Sequence, residues 1–130
     1  MPTFSATRQF VMPIWVENIE GMEMNDIAGK GYIYAELEVY DDDKFYGEYM
    51  PRVRPVLDAY GAKFLVAGGN PRVIEGDRTV KRIVLIQFND PETAQRFFYS
   101  KDYQDIIGLR YDSANTHLYF FDGPEREATA

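Results

Sequence analysis

The stretch Gly31-Tyr32-Ile33-Tyr34-Ala35-Glu36-Leu37-Glu38-Val39-Tyr40, running directly into Asp41-Asp42-Asp43, decides the reading of the fold. From residue 32 to 40 the pattern has period two: Ile33, Ala35, Leu37 and Val39 share one face, while Tyr32, Tyr34, Glu36, Glu38 and Tyr40 share the other. A strand sends alternate side chains to opposite faces, so this alternation predicts a β-strand. The three aspartates supply an N-cap and negative charge at the amino end of a helix, where the backbone dipole favours it. Phe45, Tyr49, Val53, Val56, Leu57 and Tyr60 recur at three- and four-residue spacing, which is one helix face, and Gly61 ends it. Pro51 and Pro55 each remove a backbone donor and crowd the preceding turn, predicting a kink or restart near Met50.

Working outward, residues 62–67 (with Phe64, Leu65 and Val66) predict a second strand, bent at Gly68-Gly69-Asn70-Pro71. A glycine pair often marks a bulge, so residues 72–75 are expected to continue that strand beyond the bend. After the turn Gly76-Asp77-Arg78-Thr79, residues 81–88 predict a third strand, making a long hairpin with the second. Asp90 followed by Pro91 is a helix start, an N-cap with proline at the first helical position, and Ala94, Phe97 and Phe98 form its buried stripe. A break and second cap are expected at Ser100, after which Tyr103, Ile106, Ile107 and Arg110 continue as helix. Residues 117–121 predict a last short strand, closed by Asp122-Gly123-Pro124.

The order β-α-β-β-α-β is the split βαβ pattern of an α+β, ferredoxin-like domain with a four-stranded antiparallel sheet. Two helices can cover only one face of that sheet. Yet Ile83-Val84-Leu85-Ile86-Gln87-Phe88 and Leu118-Tyr119-Phe120-Phe121 are apolar on both sides, where a solvated face should alternate. Exposed apolar patches of this kind mark interfaces. The expectation is therefore a homodimer packed through the open sheet face; the competing arrangement covers that face with the N-terminal arm of the same subunit.

The chain has 130 residues, 14 basic against 21 acidic, a formal net charge of −7. That length suits one domain, residues 31–123, preceded by an extension of residues 1–30 and followed by a frayed tail, residues 124–130. The extension contains Phe10-Val11-Met12-Pro13-Ile14-Trp15-Val16, an apolar stretch too short and too interrupted for a signal peptide or a membrane span. It reads either as an arm anchored by Trp15 on this or a neighbouring subunit, supporting higher association, or as a partly ordered tail. No membrane partner and a cytoplasmic location are expected. The acidic balance argues against nucleic acid, and with no cysteine and one histidine neither a thiolate zinc site nor a multi-histidine metal site can form. Gly68-Gly69 lacks the spacing and lysine of a phosphate loop. No metal and no cofactor are expected.

With these elements placed, Gly31-Tyr32, Phe45, Tyr49, the run Tyr60-Gly61-Ala62-Lys63-Phe64-Leu65-Val66-Ala67-Gly68-Gly69 and Ile74-Glu75-Gly76 form a recognisable series. It continues through Phe88, Pro91, Ala94, Tyr99-Ser100, Tyr103, Leu109-Arg110 and Asp122-Gly123. In order and spacing, residues 31–123 resemble the family called domain of unknown function 1330. The resemblance implies a ferredoxin-like subunit assembled as a dimeric α/β-barrel. It also implies a superfamily that includes cofactor-independent monooxygenases, isomerases, stress-response barrels and ligand-sensing domains. Fold cannot choose among these chemistries.

Relatives in that superfamily place a small-molecule cleft between helices and sheet, which here would be walled by Ile33, Ala35, Val84 or Ile86 and by helix aromatics. Arg110 lies on the apolar side of the last helix, at a position where the family pattern carries arginine. Its planar fork suits a ligand carboxylate, or it pairs with Glu75 or Asp112 as a brace. Tyr49 and Tyr103 either direct hydroxyls into the cleft as donors or are satisfied core tyrosines. Glu75 is a candidate general base if burial raises its pKa, or a turn carboxylate paired with Arg72 or Arg78. His117, the lone histidine, is a candidate proton-transfer group that departs from the family pattern. The resulting expectation is a homodimeric small-molecule-binding domain, either a cofactor-independent enzyme of the monooxygenase or isomerase kind or a binder, with a non-catalytic dimerising scaffold as the alternative.

Overall fold

The structure is a computed structural model and describes residues 26–125; all but the last five residues of the expected arm, residues 1–30, and the end of the tail lie outside them. The strands are β1 (Gly31–Val39), β2 (Lys63–Gly68), β3 (Arg82–Phe88) and β4 (Ala114–Asp122). Between β1 and β2 come α1 (Asp42–Lys44), a π-helical turn (Phe45–Tyr49) and α2 (Met50–Ala59). Between β3 and β4 come α3 (Pro91–Phe98), α4 (Lys101–Gln104) and α5 (Ile107–Tyr111). The sheet order is β2-β3-β1-β4 with every pairing antiparallel, the α+β arrangement expected from the chain.

The local chemistry accounts for the element boundaries. The Asp41 side chain accepts from the Lys44 N–H at 3.1 Å and so caps α1. Asp90 accepts from the Thr93 N–H at 2.7 Å, with Pro91 opening α3. Ser100 accepts from the Tyr103 N–H at 3.1 Å and caps α4. At the end of α2 the chain closes a Schellman motif: the Gly61 N–H bonds to the Asp58 carbonyl and the Ala62 N–H to the Leu57 carbonyl, with Gly61 at φ 69°. On the helix-covered face Ile33, Ala35, Leu37, Ile86, Phe88 and Ala114 pack against Phe45, Tyr49, Val53, Leu57, Ala94, Phe97, Tyr103 and Ile107.

Four expectations need correction. The interruption before Pro51 is a widened turn rather than a restart: the Met50 N–H reaches back five residues to the Phe45 carbonyl. A proline just inside α2 cannot complete an ordinary ladder, and a π-turn redistributes the bonds. The β2–β3 register shift falls between Phe64 and Val66, not at the glycine pair. Residues 72–75 add nothing to β2; Gly68, Gly69 and Asn70, at φ 106°, 82° and 69°, turn the backbone away from the ladder. The last helical segment is split, with the Ile106 and Leu109 N–H groups bonding three residues back to the Tyr103 and Ile106 carbonyls. Finally, β4 begins at Ala114, three residues earlier than predicted, because Val39 and Ala114 are already paired.

The uncovered sheet face carries Tyr32, Tyr34, Glu36, Ile83, Leu85, Val66, His117, Tyr119 and Phe121, as the strand registers require. It is not uniformly bare. Tyr32 is buried beneath Phe121, with ring centroids 5.0 Å apart, and its hydroxyl accepts from Gln87 Nε2 at 2.9 Å. Val66, Tyr119 and Phe121 remain 37–44% exposed.

Candidate functional site

Between the helices and the sheet lies an apolar cavity of ≈ 50 Å³, several times the ~10–15 Å³ that one water molecule needs. All four strand residues expected to wall it, Ile33, Ala35, Val84 and Ile86, do so, together with Phe45, Phe64, Phe97 and Phe98. Tyr49, Tyr103 and Arg110 also line it, so the structure brings these three sequence candidates together.

Each is delivered by a local feature of the chain. The π-turn carries Phe45 and Tyr49 inward together. The Ser100 cap starts α4 so that Tyr103 is turned into the core, 2% exposed. The Ser113 carbonyl accepts from the Tyr40 and Asp41 N–H groups at 2.9 and 3.2 Å, tying the α5–β4 junction to the β1–α1 junction. That tie holds Arg110 next to the turn bearing Tyr49.

The polar groups form a short chain. Arg110 Nε donates to the Tyr103 hydroxyl at 3.0 Å, and that hydroxyl shares a 2.7 Å hydrogen bond with the Tyr49 hydroxyl. Since the Tyr103 oxygen already accepts from the guanidinium, its own proton is free to go to Tyr49, which leaves the Tyr49 proton available to a molecule in the cavity. Burial pushes the Tyr49 phenol well above its ordinary range and Tyr103 adds to the rise, with Arg110 acting against both. Tyr49 is therefore a proton-bearing donor at neutral pH. Burial works against the charge on Arg110, but the phenols of Tyr103 and Tyr49 and the bond to Tyr103 offset it, and its pKa moves up.

Arg110 is 5% exposed. The Tyr111 ring lies 5.2 Å from its Cζ, yet among the described residues no carboxylate pairs with it: the ion pairs there join Arg78 to Glu36 and Lys101 to Asp105. The expected brace to Glu75 or Asp112 is not made. A buried guanidinium without a counter-ion is costly, and its planar fork matches a carboxylate.

The two remaining candidates lie elsewhere. Glu75 is exposed on the β2–β3 connection, lining a shallow hollow with Arg72 and Arg78. His117 is exposed on the open sheet face, as the Cα partner of Glu36. Neither lines the cavity. The sequence reading missed Arg82 and Thr116, which do. Arg82 falls in phase with Val84, Ile86 and Phe88, so an arginine on a buried stripe was a usable signal; Thr116 was hidden by starting β4 too late. Among the described residues no group of three or more acidic or histidine side chains could hold a metal ion, and no helix is long and apolar enough to cross a membrane.

Comparison with known proteins bears on the fold. Solved structures with the same fold include the RPA0582 protein of unknown function from Rhodopseudomonas palustris, at 12% identity and TM-score 0.60, covering 87% of this chain and 94% of that one. Its methylated form gives 11% identity and TM-score 0.62 over 90% and 95% of the two chains. SnoaB, a cofactor-independent oxygenase from Streptomyces nogalater, aligns at 10% identity and TM-score 0.53 over 72% of this chain and 92% of its own. At these identities the likeness is one of fold. No curated protein matches the chain. The family model matches residues 30–124, and by it the chain belongs to the family described as domain of unknown function (DUF1330).

Proposed function

We propose that the chain is a small-molecule-binding domain that takes an organic anion into the helix–sheet cavity and works as a homodimer. The observation that carries the reading is the buried Arg110, without a carboxylate partner among the described residues and hydrogen-bonded through Tyr103 to Tyr49 inside an apolar chamber. Concave apolar sites with a few convergent polar groups are the usual form of a ligand pocket. An enzymatic role fits the same constellation: a fixed cation and a protonated phenol stabilise negative charge that develops on a bound oxygen. The likeness in fold to a cofactor-independent oxygenase is in keeping with that.

Calorimetric titration of the full chain with butyrate and with its uncharged analogue butyramide tests the cavity. Butyrate should saturate, butyramide should not, and Arg110→Met should abolish the difference; equal behaviour of the two probes would overturn the reading.

The homodimer is supported by the half-exposed Val66, Tyr119 and Phe121 on the sheet face opposite the helices. At ~25 cal/mol per Å² their burial against a second copy stabilises the assembly by several kcal/mol. Sedimentation at micromolar protein should give about twice the 15.1 kDa of one chain. A single species at the one-chain mass would sink the dimer and return the open face to the N-terminal arm.

A further inference from the structure

Arg110, Tyr103 and Tyr49 do not exhaust the polar groups of the cavity. Among the described residues, Arg82 Nε and Thr116 Oγ1 are buried without a hydrogen-bond partner, and both residues line the same chamber. The sheet register explains why they occur together. Leu37 of β1 is the Cα partner of Arg82 on β3 and of Thr116 on β4. Cross-strand partners project to one face, so Arg82 and Thr116 flank Leu37 on the helix side, two strand spacings or about 10 Å apart along the sheet.

The Arg82 guanidinium is held from outside the cavity: its Cζ lies 5.5 Å from the Tyr46 ring centroid, and Nη1 lies 3.1 Å from where a Cβ at Gly68 would stand. Native proteins satisfy nearly all buried polar atoms. Two orphans on one wall of the chamber therefore mark that wall as a place where oxygen of another molecule belongs. An arginine N–H only donates, a threonine hydroxyl donates or accepts, and among the described residues no aspartate or glutamate lines the chamber.

We infer that the ligand is a small organic acid with oxygen acceptors at two points, its carboxylate at Arg110 and Tyr49 and a second hydroxyl, oxo or carboxylate oxygen at Arg82 and Thr116. This rests on reading the cavity as an anion site. The remainder of the ligand is hydrocarbon, because the rest of the chamber's lining is mostly apolar, Leu37, Ile33, Ala35 and the ring of Phe45 among it. Arg110 supplies the charge recognition, and Arg82 with Thr116 selects acids bearing the second oxygen.

The test is calorimetry on the full chain with butyrate, 4-hydroxybutyrate and succinate, which share a four-carbon backbone. The two probes with a second oxygen should bind about tenfold more tightly than butyrate. Thr116→Val, close in shape, and Arg82→Met should erase that gain, so that each variant binds the two-oxygen probes no more tightly than it binds butyrate. Circular dichroism checks folding; should Arg82→Met fail to fold, Thr116→Val alone decides. Equal affinity for all three acids, or a uniform loss on Thr116→Val, would overturn the two-point assignment while the anion site stands. Failure of butyrate itself to saturate overturns both.

Discussion

Replacing Arg110 with methionine separates a binding arginine from a structural one. The change keeps a long apolar stem and removes the charged head. In the structure that head donates one 3.0 Å hydrogen bond to Tyr103 and stacks on Tyr111. The charge-assisted bond contributes about 1.5–3 kcal/mol and the ring contact about 0.5–1 kcal/mol. Against them stands the desolvation of an ion that is 5% exposed and has no carboxylate partner among the described residues, several kcal/mol in proteins generally. The terms nearly cancel, so Arg110→Met should change unfolding free energy by less than about 2 kcal/mol and is expected to leave it unchanged or slightly higher. Urea unfolding at fixed protein concentration measures this, because a dimer's apparent stability depends on concentration. The same variant should weaken butyrate by at least about 30-fold, the equivalent of 2 kcal/mol for a buried charge contact. A stability loss of about 3–5 kcal/mol, the cost of breaking a buried ion pair, would show that Arg110 braces the fold and refute the reasoning.

The remaining predictions concern pH and packing. Burial raises the Tyr49 pKa above its ordinary 10.0, so above pH 10 the folded chain holds a proton that the unfolded chain releases. Stability should be fully present below pH 10 and fall above it, by up to about 1.4 kcal/mol per pH unit. Urea midpoints between pH 8 and 11.5 should show the slope, and Tyr49→Phe should reduce it to the smaller shares from Tyr34, whose pKa burial and the bond to Glu36 also raise, and from Lys101, raised by its bond to Asp105; an unaltered slope would place the effect elsewhere. Gly31→Ala would put a Cβ 2.5 Å from Pro91 Cα and 2.6 Å from the Asp90 carbonyl oxygen, backbone that cannot swing aside. A loss of at least about 2 kcal/mol is expected, and a melting temperature within a degree or two of the unmodified protein would contradict the close approach of β1 to the start of α3.

Most of the architecture was legible because it is written in local signals. The alternation in β1 has a period only a strand satisfies, and Asp90-Pro91 and Ser100 carry their caps within three residues. The Gly61 turn likewise depends on a few consecutive residues. Errors occurred where a distant partner decided the outcome. The strand β4 starts at Ala114 because Val39 pairs with it, and β2 bulges at Leu65 to stay in register with β3; neither partner is near in sequence. The π-turn was half visible, since Pro51 announced an interruption but not its form.

For the cavity, the chain alone nominated Tyr49, Tyr103 and Arg110 from their places on helical faces, and they do meet. It equally nominated Glu75 and His117, which solvent-exposed positions on a loop and on the open face remove from that chamber. Periodicity tells which way a side chain leaves its own element, a property of a few neighbouring residues. Whether Arg110 finds a carboxylate, and whether Arg82 and Thr116 find any partner at all, depends on segments tens of residues apart being folded against one another, and sequence spacing carries no record of those distances.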